Sequence, residues 1–165
     1  DNSLPITGIA SIEGISLVNI EGGGMMGIPG FAARIFAALA REGINIIMIS
    51  QASSEHTICL VFRTAEGERA LATLNRELAP ELHSHRIERF ELMRDLLIVS
   101  VIGENMHGTP GMAGRLFSAL GRAKINILVI AQGSSERNIS FVIEEKNHTL
   151  ALRTIHAEFL SGRPK

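Results

Sequence analysis

The sequence is short of cysteine, large aromatic residues and long apolar runs, and each shortage disfavours a class of protein. Cys59 is the only cysteine, so no intrachain disulfide is expected, as in proteins of a reducing cytoplasm. Tryptophan and tyrosine are absent, which disfavours sites that stack nucleobases. The net charge of −1 comes without a basic patch, so neither nucleic acid nor a membrane surface is an expected partner. No apolar run can span a bilayer, and the first residues lack the pattern of a signal peptide.

The residues that are present suffice for a folded core. The chain has 165 residues, of which 45% are hydrophobic and 20% are charged. These proportions are typical of a soluble globular protein with one domain or two small ones.

The chain repeats itself at an offset of 81 residues, without a gap from residue 15 to about residue 62. The best-matched stretch is GMMGIPGFAARIFAALAREGINIIMISQASSE, which aligns with NMHGTPGMAGRLFSALGRAKINILVIAQGSSE. A period of this length indicates a duplicated domain rather than a solenoid of short repeats.

Each copy carries the same order of predicted elements. A strand rich in Val, Ile and Leu precedes a helix, and two further strands follow on either side of a polar turn. The first helix is predicted from apolar residues at helical spacing, with a proline–glycine pair in its first turn. A second helix follows the third strand. The strands are expected at 15–21, 44–50 and 57–63 in the first copy and at 96–102, 125–131 and 139–145 in the second.

A sixth element distinguishes the first copy from the second. HRIERFELM at 85–93 predicts a strand, which completes a ferredoxin-like β-α-β-β-α-β order. The second copy ends without this strand, whereas residues 5–13 predict a strand that has no place in the first copy. We therefore predict an α+β fold of two ferredoxin-like domains. The first (14–94) is inserted in the second, which comprises 95–165 and the strand at 5–13. The alternative is a chain cut before its last strand.

The segment GGGMMG at 22–27 matches a dinucleotide-binding fingerprint between a strand and a helix. That fingerprint also needs an acidic residue about 20 residues further on, where this chain has the apolar Ile46–Ile49. The second copy keeps only Gly103 and Gly108 of the pattern. We interpret these glycines as a turn that lets backbone amides face a ligand at a helix N-terminus.

Candidate metal ligands and nucleophiles are scattered along the chain. His83 and His85 lack a third ligand at suitable spacing, which favours solvated loop histidines over a metal pair. The remaining histidines, His148 among them, are expected at the surface, and Cys59 is expected within a strand as a small core residue. No metal site is predicted, and no residue set supports catalysis in this chain.

Arg34 and Arg115 occupy matching positions one turn into their helices. They are expected to face solvent or to pair with an acid. An acyl-phosphate hydrolase of this fold class would need an arginine in the loop itself, beside the helix N-terminus, and neither loop has one.

One polar constellation occurs in both copies. A glycine loop opens a helix, whose free N–H groups and positive dipole end suit a carboxylate. Asn45 and Asn126 start the second strand and offer both a carbonyl and an amide. Gln51 and Gln132 end that strand, and their amides can accept from and donate to a hydroxyl. Together these groups suit a free amino acid, although a duplicated domain can also keep such residues for folding alone.

On these motifs, the sequence resembles the C-terminal regulatory region of aspartate kinases, which is built of two ACT domains. It is most similar to the threonine-sensitive type of bifunctional aspartate kinase–homoserine dehydrogenases. The resemblance implies allosteric feedback inhibition in amino-acid biosynthesis by an end-product amino acid, bound where ACT domains meet across a homodimer. It also implies that the kinase domain lies N-terminal to this region. ATP and magnesium would be bound there, and no cofactor is expected in this fragment.

The resemblance assigns effector-binding residues by position. The pocket of the family uses the loop-to-helix turn of one domain and the second strand of a neighbour. The residues expected to contact the effector are Met25, Gly27, Pro29, Gly30, Asn45, Ile46, Gln51, Ser53 and Ser54 in the first copy, and Met106, Gly108, Pro110, Gly111, Asn126, Ile127, Gln132, Ser134 and Ser135 in the second.

The second strand also bears on the choice of effector. Lysine-sensitive relatives carry an aspartate two residues after the position of Asn45, whereas this sequence has Ile47 there and Leu128 in the other copy. An unpaired lysine ammonium would cost on the order of a few kcal/mol in such a pocket, so threonine is favoured. The alternatives are a lysine-binding module, in which Glu55 or Glu136 reaches the ammonium, and a dimerisation module without a ligand.

Overall fold

The structure, a computed structural model, describes residues 6–23, 29–52, 57–103, 111–132 and 138–160. The chain divides into two compact units. The inserted unit is Gly14–Asp95, and the enclosing unit combines the segment up to Glu13 with the chain from Leu96 onward. Two long strands cross these boundaries, β1 at Gly8–Glu21 and β4 at Leu92–Ile102.

The inserted unit packs helices against one face of an antiparallel sheet. Besides β1, its elements are α1 at Phe31–Arg41, β2 at Met48–Ala52, β3 at Thr57–Arg63, α2 at Gly67–Glu77 and α3 at Ala79–His83. Strand β3 pairs with β1 on one side and with β2 on the other. Alternate residues of β3, namely Ile58, Leu60 and Phe62, join the apolar stripes of α1 and α2 in one buried cluster.

The enclosing unit repeats this arrangement. Besides β4, its elements are α4 at Met112–Arg122, β5 at Val129–Gln132, β6 at Asn138–Glu144 and α5 at His148–Phe159. Strand β6 pairs antiparallel with β4 and with β5, and Ile139, Phe141 and Ile143 face the helices. The first part of β1 lies beside β4, where the Thr7 N–H donates to the Ile102 carbonyl at 2.8 Å. The predicted α+β fold with two ferredoxin-like copies is confirmed.

Four residues with positive φ occupy two pairs of matching positions. Gly43 (φ 70°) and Lys124 (φ 60°) follow the first helix of each unit. Gly14 (φ 67°) and Asp95 (φ 58°) lie inside β1 and β4, where the chain passes from one unit to the other. The left-handed conformation suits glycine and is strained for most other residues, so Lys124 and Asp95 are held there by their surroundings.

Several predicted bounds need correction. The strand expected at 85–93 is wrong for most of its length, because the chain is irregular at 88–91 and β4 begins at Leu92. Its core side chains, Ile87 and Phe90, are three residues apart, a spacing that one face of a strand cannot supply. Strands β2 and β5 begin at Met48 and Val129, several residues later than expected, because the preceding residues lead out of a helix.

The helix starts also differ slightly from expectation. Helix α1 begins at Phe31 and has Gly30 as its N-cap, so Pro29 lies before the first turn rather than in it. The described helices include none with the length and apolar character needed to cross a membrane.

Candidate functional site

About half of the predicted effector-binding residues lie outside the described part of the chain. For Gln51 and Gln132 the structure gives the backbone, which ends β2 and β5. The predicted residues outside the described ranges are Met25, Gly27, Ser53, Ser54, Met106, Gly108, Pro110, Ser134 and Ser135. For all of these the effector contacts stay a prediction.

The predicted carboxylate site is the start of α1 and of α4. Gly30 (φ 85°) and Gly111 (φ 82°) are left-handed N-caps, and both are exposed. Their carbonyls accept the amides of Arg34 at 3.0 Å and Arg115 at 2.8 Å, which closes the first helical turn. Neither helix has a side-chain cap, and neither first turn carries an acidic residue. The positive end of each helix dipole is therefore not neutralised by its own first turn, which favours an anion.

The residues after each first helix combine an exposed amide with a core contact. Asn45 and Asn126 are exposed. The Asn45 N–H donates to Glu66 Oε2 at 3.3 Å, which fixes the backbone leading into β2. Ile46 and Ile127 are partly buried and pack against the cores of their units. The asparagines are thus accessible to a ligand, whereas the two isoleucines mainly anchor the strand.

Strand register shows which face of β2 and β5 adjoins the helix start. Ile49 pairs with Leu60 and Ile130 pairs with Phe141, and both partners belong to the helix-packed cores. Directly opposed residues of an antiparallel pair project to the same face, so Ile49 and Ile130 lie on the helix side of their sheets. They are 47% and 48% exposed, although they are large and apolar. Sequence reasoning missed this pair, because an apolar residue in an apolar strand shows its exposure only once the sheet register is known.

Arg34 ties the first turn of α1 to two other helices. Its Nε donates to Glu77 Oε1 at 3.0 Å, and its Nη2 donates to the Glu77 carbonyl at 2.6 Å, at the end of α2. Both carboxylate oxygens of Glu81, in α3, also accept from the guanidinium. The hydrogen bond from Arg34 holds the pKa of the buried Glu81 carboxyl below its usual value, and the same bond raises the pKa of Arg34.

Arg115 makes a related but smaller set of contacts in the enclosing unit. Its Nε donates to Glu158 Oε1 at 2.7 Å, and its Nη2 donates to the Glu158 carbonyl at 2.6 Å. Its guanidinium lies 4.6 Å from the centre of the Phe159 ring, in a cation–π contact. The prediction that both arginines face solvent or pair with an acid is confirmed.

The other candidate reactive groups are placed away from this constellation. Cys59 is buried, and burial raises the pKa of its thiol to about 12, as expected of a core residue. His83 and His85 are exposed. His148 is more enclosed than expected, because its ring lies between Ser11 Oγ at 3.1 Å and Glu13 Oε1 at 3.2 Å. In the described ranges, no group of three or more His, Cys, Asp and Glu side chains is arranged to hold a metal ion.

Comparison with known proteins assigns the family. The model of the ACT domain matches residues 18–78 and again residues 99–159, one match in each copy. The chain belongs to the ACT domain family.

Two of the curated relatives that the chain resembles are bifunctional enzymes. The chain is 41% identical over 159 residues to the chloroplastic bifunctional aspartokinase/homoserine dehydrogenase 1 of Arabidopsis thaliana. It is 39% identical over 161 residues to the bifunctional aspartokinase/homoserine dehydrogenase of Haemophilus influenzae. These alignments cover 96% and 98% of this chain but only 18% and 20% of the relatives, so the chain spans about a fifth of their length.

Solved structures give the same resemblance. The ligand-free regulatory subunit of aspartate kinase from Thermus thermophilus is 29% identical with a TM-score of 0.79, over 94% of this chain and 98% of the subunit. The aspartate kinase of Synechocystis is 28% identical with a TM-score of 0.82, over 100% of this chain and 29% of that enzyme. The ACT domains of this chain are therefore similar to the regulatory part of aspartate kinases, as predicted.

Proposed function

We propose that this chain is the regulatory module of an aspartate kinase and that it binds an end-product amino acid, threonine in preference to lysine, for feedback inhibition. The observation that carries the proposal is the duplicated helix start without a side-chain cap, together with the likeness to a regulatory subunit of aspartate kinase. The parent protein is proposed to be a cytoplasmic enzyme with its kinase domain N-terminal to this module. ATP and magnesium act in that domain.

The candidate groups suit each part of threonine. The first-turn N–H groups after Gly30 or Gly111 receive the carboxylate. The exposed amides of Asn45 and Asn126 are available to the ammonium and carboxylate. Gln51 and Gln132 are proposed to exchange hydrogen bonds with the threonine hydroxyl. As the resemblance to aspartate kinases implies, the sites are proposed to lie where ACT domains of two chains meet.

Threonine is preferred over lysine because of the second strand. Ile47 and Leu128 stand where a carboxylate would pair the lysine ammonium, and both are half-buried and apolar. The exposed Ile49 and Ile130 add apolar surface on the strand face toward which the helices pack, which suits the threonine methyl. An ammonium left unpaired there would cost about 1–3 kcal/mol or more.

Calorimetric titration of the 165-residue chain with threonine, lysine, methionine, leucine and homoserine tests the proposal. Threonine should bind with the highest affinity, and at 100 times its Kd it should stabilise the fold by about 2.7 kcal/mol. Gln51→Ala and Gln132→Ala should each weaken threonine binding. A confirmed dimer that binds none of these amino acids contradicts the proposal and favours a module that only dimerises. Tighter binding of lysine favours the lysine-regulated alternative.

A further inference from the structure

We infer that Arg34 is a positioning residue for the effector site of the inserted unit. In this inference, which rests on the proposed function, Arg34 holds the first turn of α1 in the shape that the ligand carboxylate needs. Arg34 does not touch the ligand itself. It acts through Gly30 and through the acids of α2 and α3.

The position of Arg34 in the helix is the first support. Arg34 is the fourth residue of α1, and its own amide closes the first turn on the Gly30 carbonyl at 3.0 Å. The same residue therefore sets the geometry of the turn with its backbone and anchors that turn with its side chain. The N–H groups that precede it are those left free at a helix start.

The lack of a local anchor is the second support. Gly30 contributes no side-chain cap, and glycine leaves the backbone at this point with more freedom than another residue would. A helix start without a cap frays unless something else holds it. The bonds from Arg34 to Glu77 and Glu81 fill that role, because they fix the turn to α2 and α3 rather than to the loop before it.

The burial of Glu81 is the third support. Its side chain is only 9% exposed, so solvent screens its interaction with Arg34 weakly. Glu81 belongs to α3, a short helix that Pro80 opens, whereas Arg115 has its described contacts with α5 alone. In the inserted unit, an extra helix and a second carboxylate thus hold the start of α1 through Arg34. Preorganisation of this kind raises affinity by lowering the ordering required on binding.

Calorimetry on the 165-residue chain, at a temperature where all variants are folded, tests the inference. Arg34→Met should raise the threonine Kd of one class of site on the order of tenfold. Glu81→Gln, which keeps the side-chain shape, should give a smaller increase, as should Arg34→Lys. Arg41→Ala is the matched control, because Arg41 pairs with the same Glu77 at 3.5 Å from the exposed last turn of α1. Its Kd should be unchanged.

Two outcomes overturn the inference and differ from a failure of the proposed function. If the parent chain binds threonine and Arg34→Met binds it with the same Kd, Arg34 has only a structural role, whatever its effect on Tm. Amide hydrogen exchange without any ligand supplies the second readout. Exchange at the amide of residue 34, which closes the first turn on the Gly30 carbonyl, and at the helical amides that follow it should accelerate in Arg34→Met and not in Arg41→Ala. Equal exchange in both variants refutes the inference even if no amino acid binds to the parent chain.

Discussion

The two units solve one packing problem with different side chains. In the inserted unit Arg34 joins the first helix to two carboxylates, one of them buried. In the enclosing unit Arg115 joins it to one carboxylate and to the Phe159 ring, where the inserted unit has Leu78. The bond from the arginine to the backbone carbonyl of a glutamate occurs in both, at 2.6 Å. That helix-to-helix bond is therefore common to both units, whereas the groups around it differ.

The strands of the two units also carry different side chains at matching positions. Phe141 of β6 packs edge-to-face on Phe117, with ring centres 5.8 Å apart at 80°. In the inserted unit, Leu60 of β3 occupies the position that matches Phe141, and Phe36 occupies the position that matches Phe117. The enclosing unit thus relies more on aromatic contacts and the inserted unit more on charge. Removing the aromatic contact and the charged contacts separately tests whether this difference affects the free energy of unfolding.

The largest effect is expected from the aromatic pair. Phe141→Ala should lower the free energy of unfolding by about 3–5 kcal/mol, since Phe141 is fully buried at the centre of the sheet. Phe141→Leu, which restores the residue of the inserted unit, should lose only about 1–2 kcal/mol, mostly through the edge-to-face contact. Urea denaturation monitored by circular dichroism measures both. A Phe141→Leu variant as stable as the parent would show that the pair adds nothing beyond volume.

The charged cluster should make the inserted unit sensitive to acid. Because Arg34 lowers the pKa of the Glu81 carboxyl in the folded state, ionised Glu81 stabilises the fold above its ordinary pKa near 4.5. That stabilisation is lost as the pH falls through the lowered folded pKa. Glu81→Gln should therefore lower the free energy of unfolding by about 1.5–3 kcal/mol at pH 7, which is the usual contribution of a hydrogen bond to a charged group. Its difference from the parent should shrink as the pH falls below about 4.5.

Urea midpoints at pH 7, 5, 4 and 3 check this dependence. Glu158→Gln is the matched variant in the enclosing unit, where the acceptor is 25% exposed and more open to solvent. Glu158→Gln should lower the free energy of unfolding by less than Glu81→Gln does at pH 7. A stability difference for Glu81→Gln that stays constant with pH would contradict the role given to its charge.

Local patterns predicted the fold class and left the long-range contacts open. Helical spacing identified the buried stripe of each first helix, and a short run rich in apolar residues identified β3 within its bounds. The segment 85–93 was misread as a strand for most of its length, although its buried residues Ile87 and Phe90 are three positions apart, a spacing that one strand face does not give. The bond from Arg34 to Glu81 joins residues 47 positions apart, and neither neighbourhood carries a sign of it.

The candidate site, too, was predicted from the sequence only in part. Residue type and repetition predicted the helix start at Gly30 and the exposed Asn45. The exposed Ile49 was missed, because an apolar residue in an apolar strand gives no sign of exposure until the register of the sheet is known. Strand bounds depend on pairing partners, which a single segment does not encode.

The left-handed residues after the first helices should respond in opposite directions. Gly43 and Lys124 have the same conformation, and the next amide returns to the helix at 3.0 Å in both units. Lys124→Gly should stabilise the enclosing unit by about 1 kcal/mol, and Gly43→Ala should destabilise the inserted unit by a similar amount. The loss expected for Gly43→Ala comes from the backbone conformation and not from a steric clash, because a Cβ at Gly43 would meet nothing within 4 Å. Thermal denaturation of both variants checks the signs, and shifts in the same direction would contradict this account.

The smallest effect is expected at Cys59, whose counterpart in the enclosing unit is Ser140. Ser140 Oγ lies 2.7 Å from Ser100 Oγ, so that strand pair is polar, whereas burial raises the pKa of the Cys59 thiol to about 12. At pH 8 the thiol is protonated and enclosed, and the thiolate is the reactive species. Iodoacetamide should therefore leave the folded chain unmodified over the time in which it fully alkylates the chain in urea, as mass spectrometry can show. Rapid alkylation without urea would mean that the inserted unit opens at β3, which would locate the weaker of the two cores there.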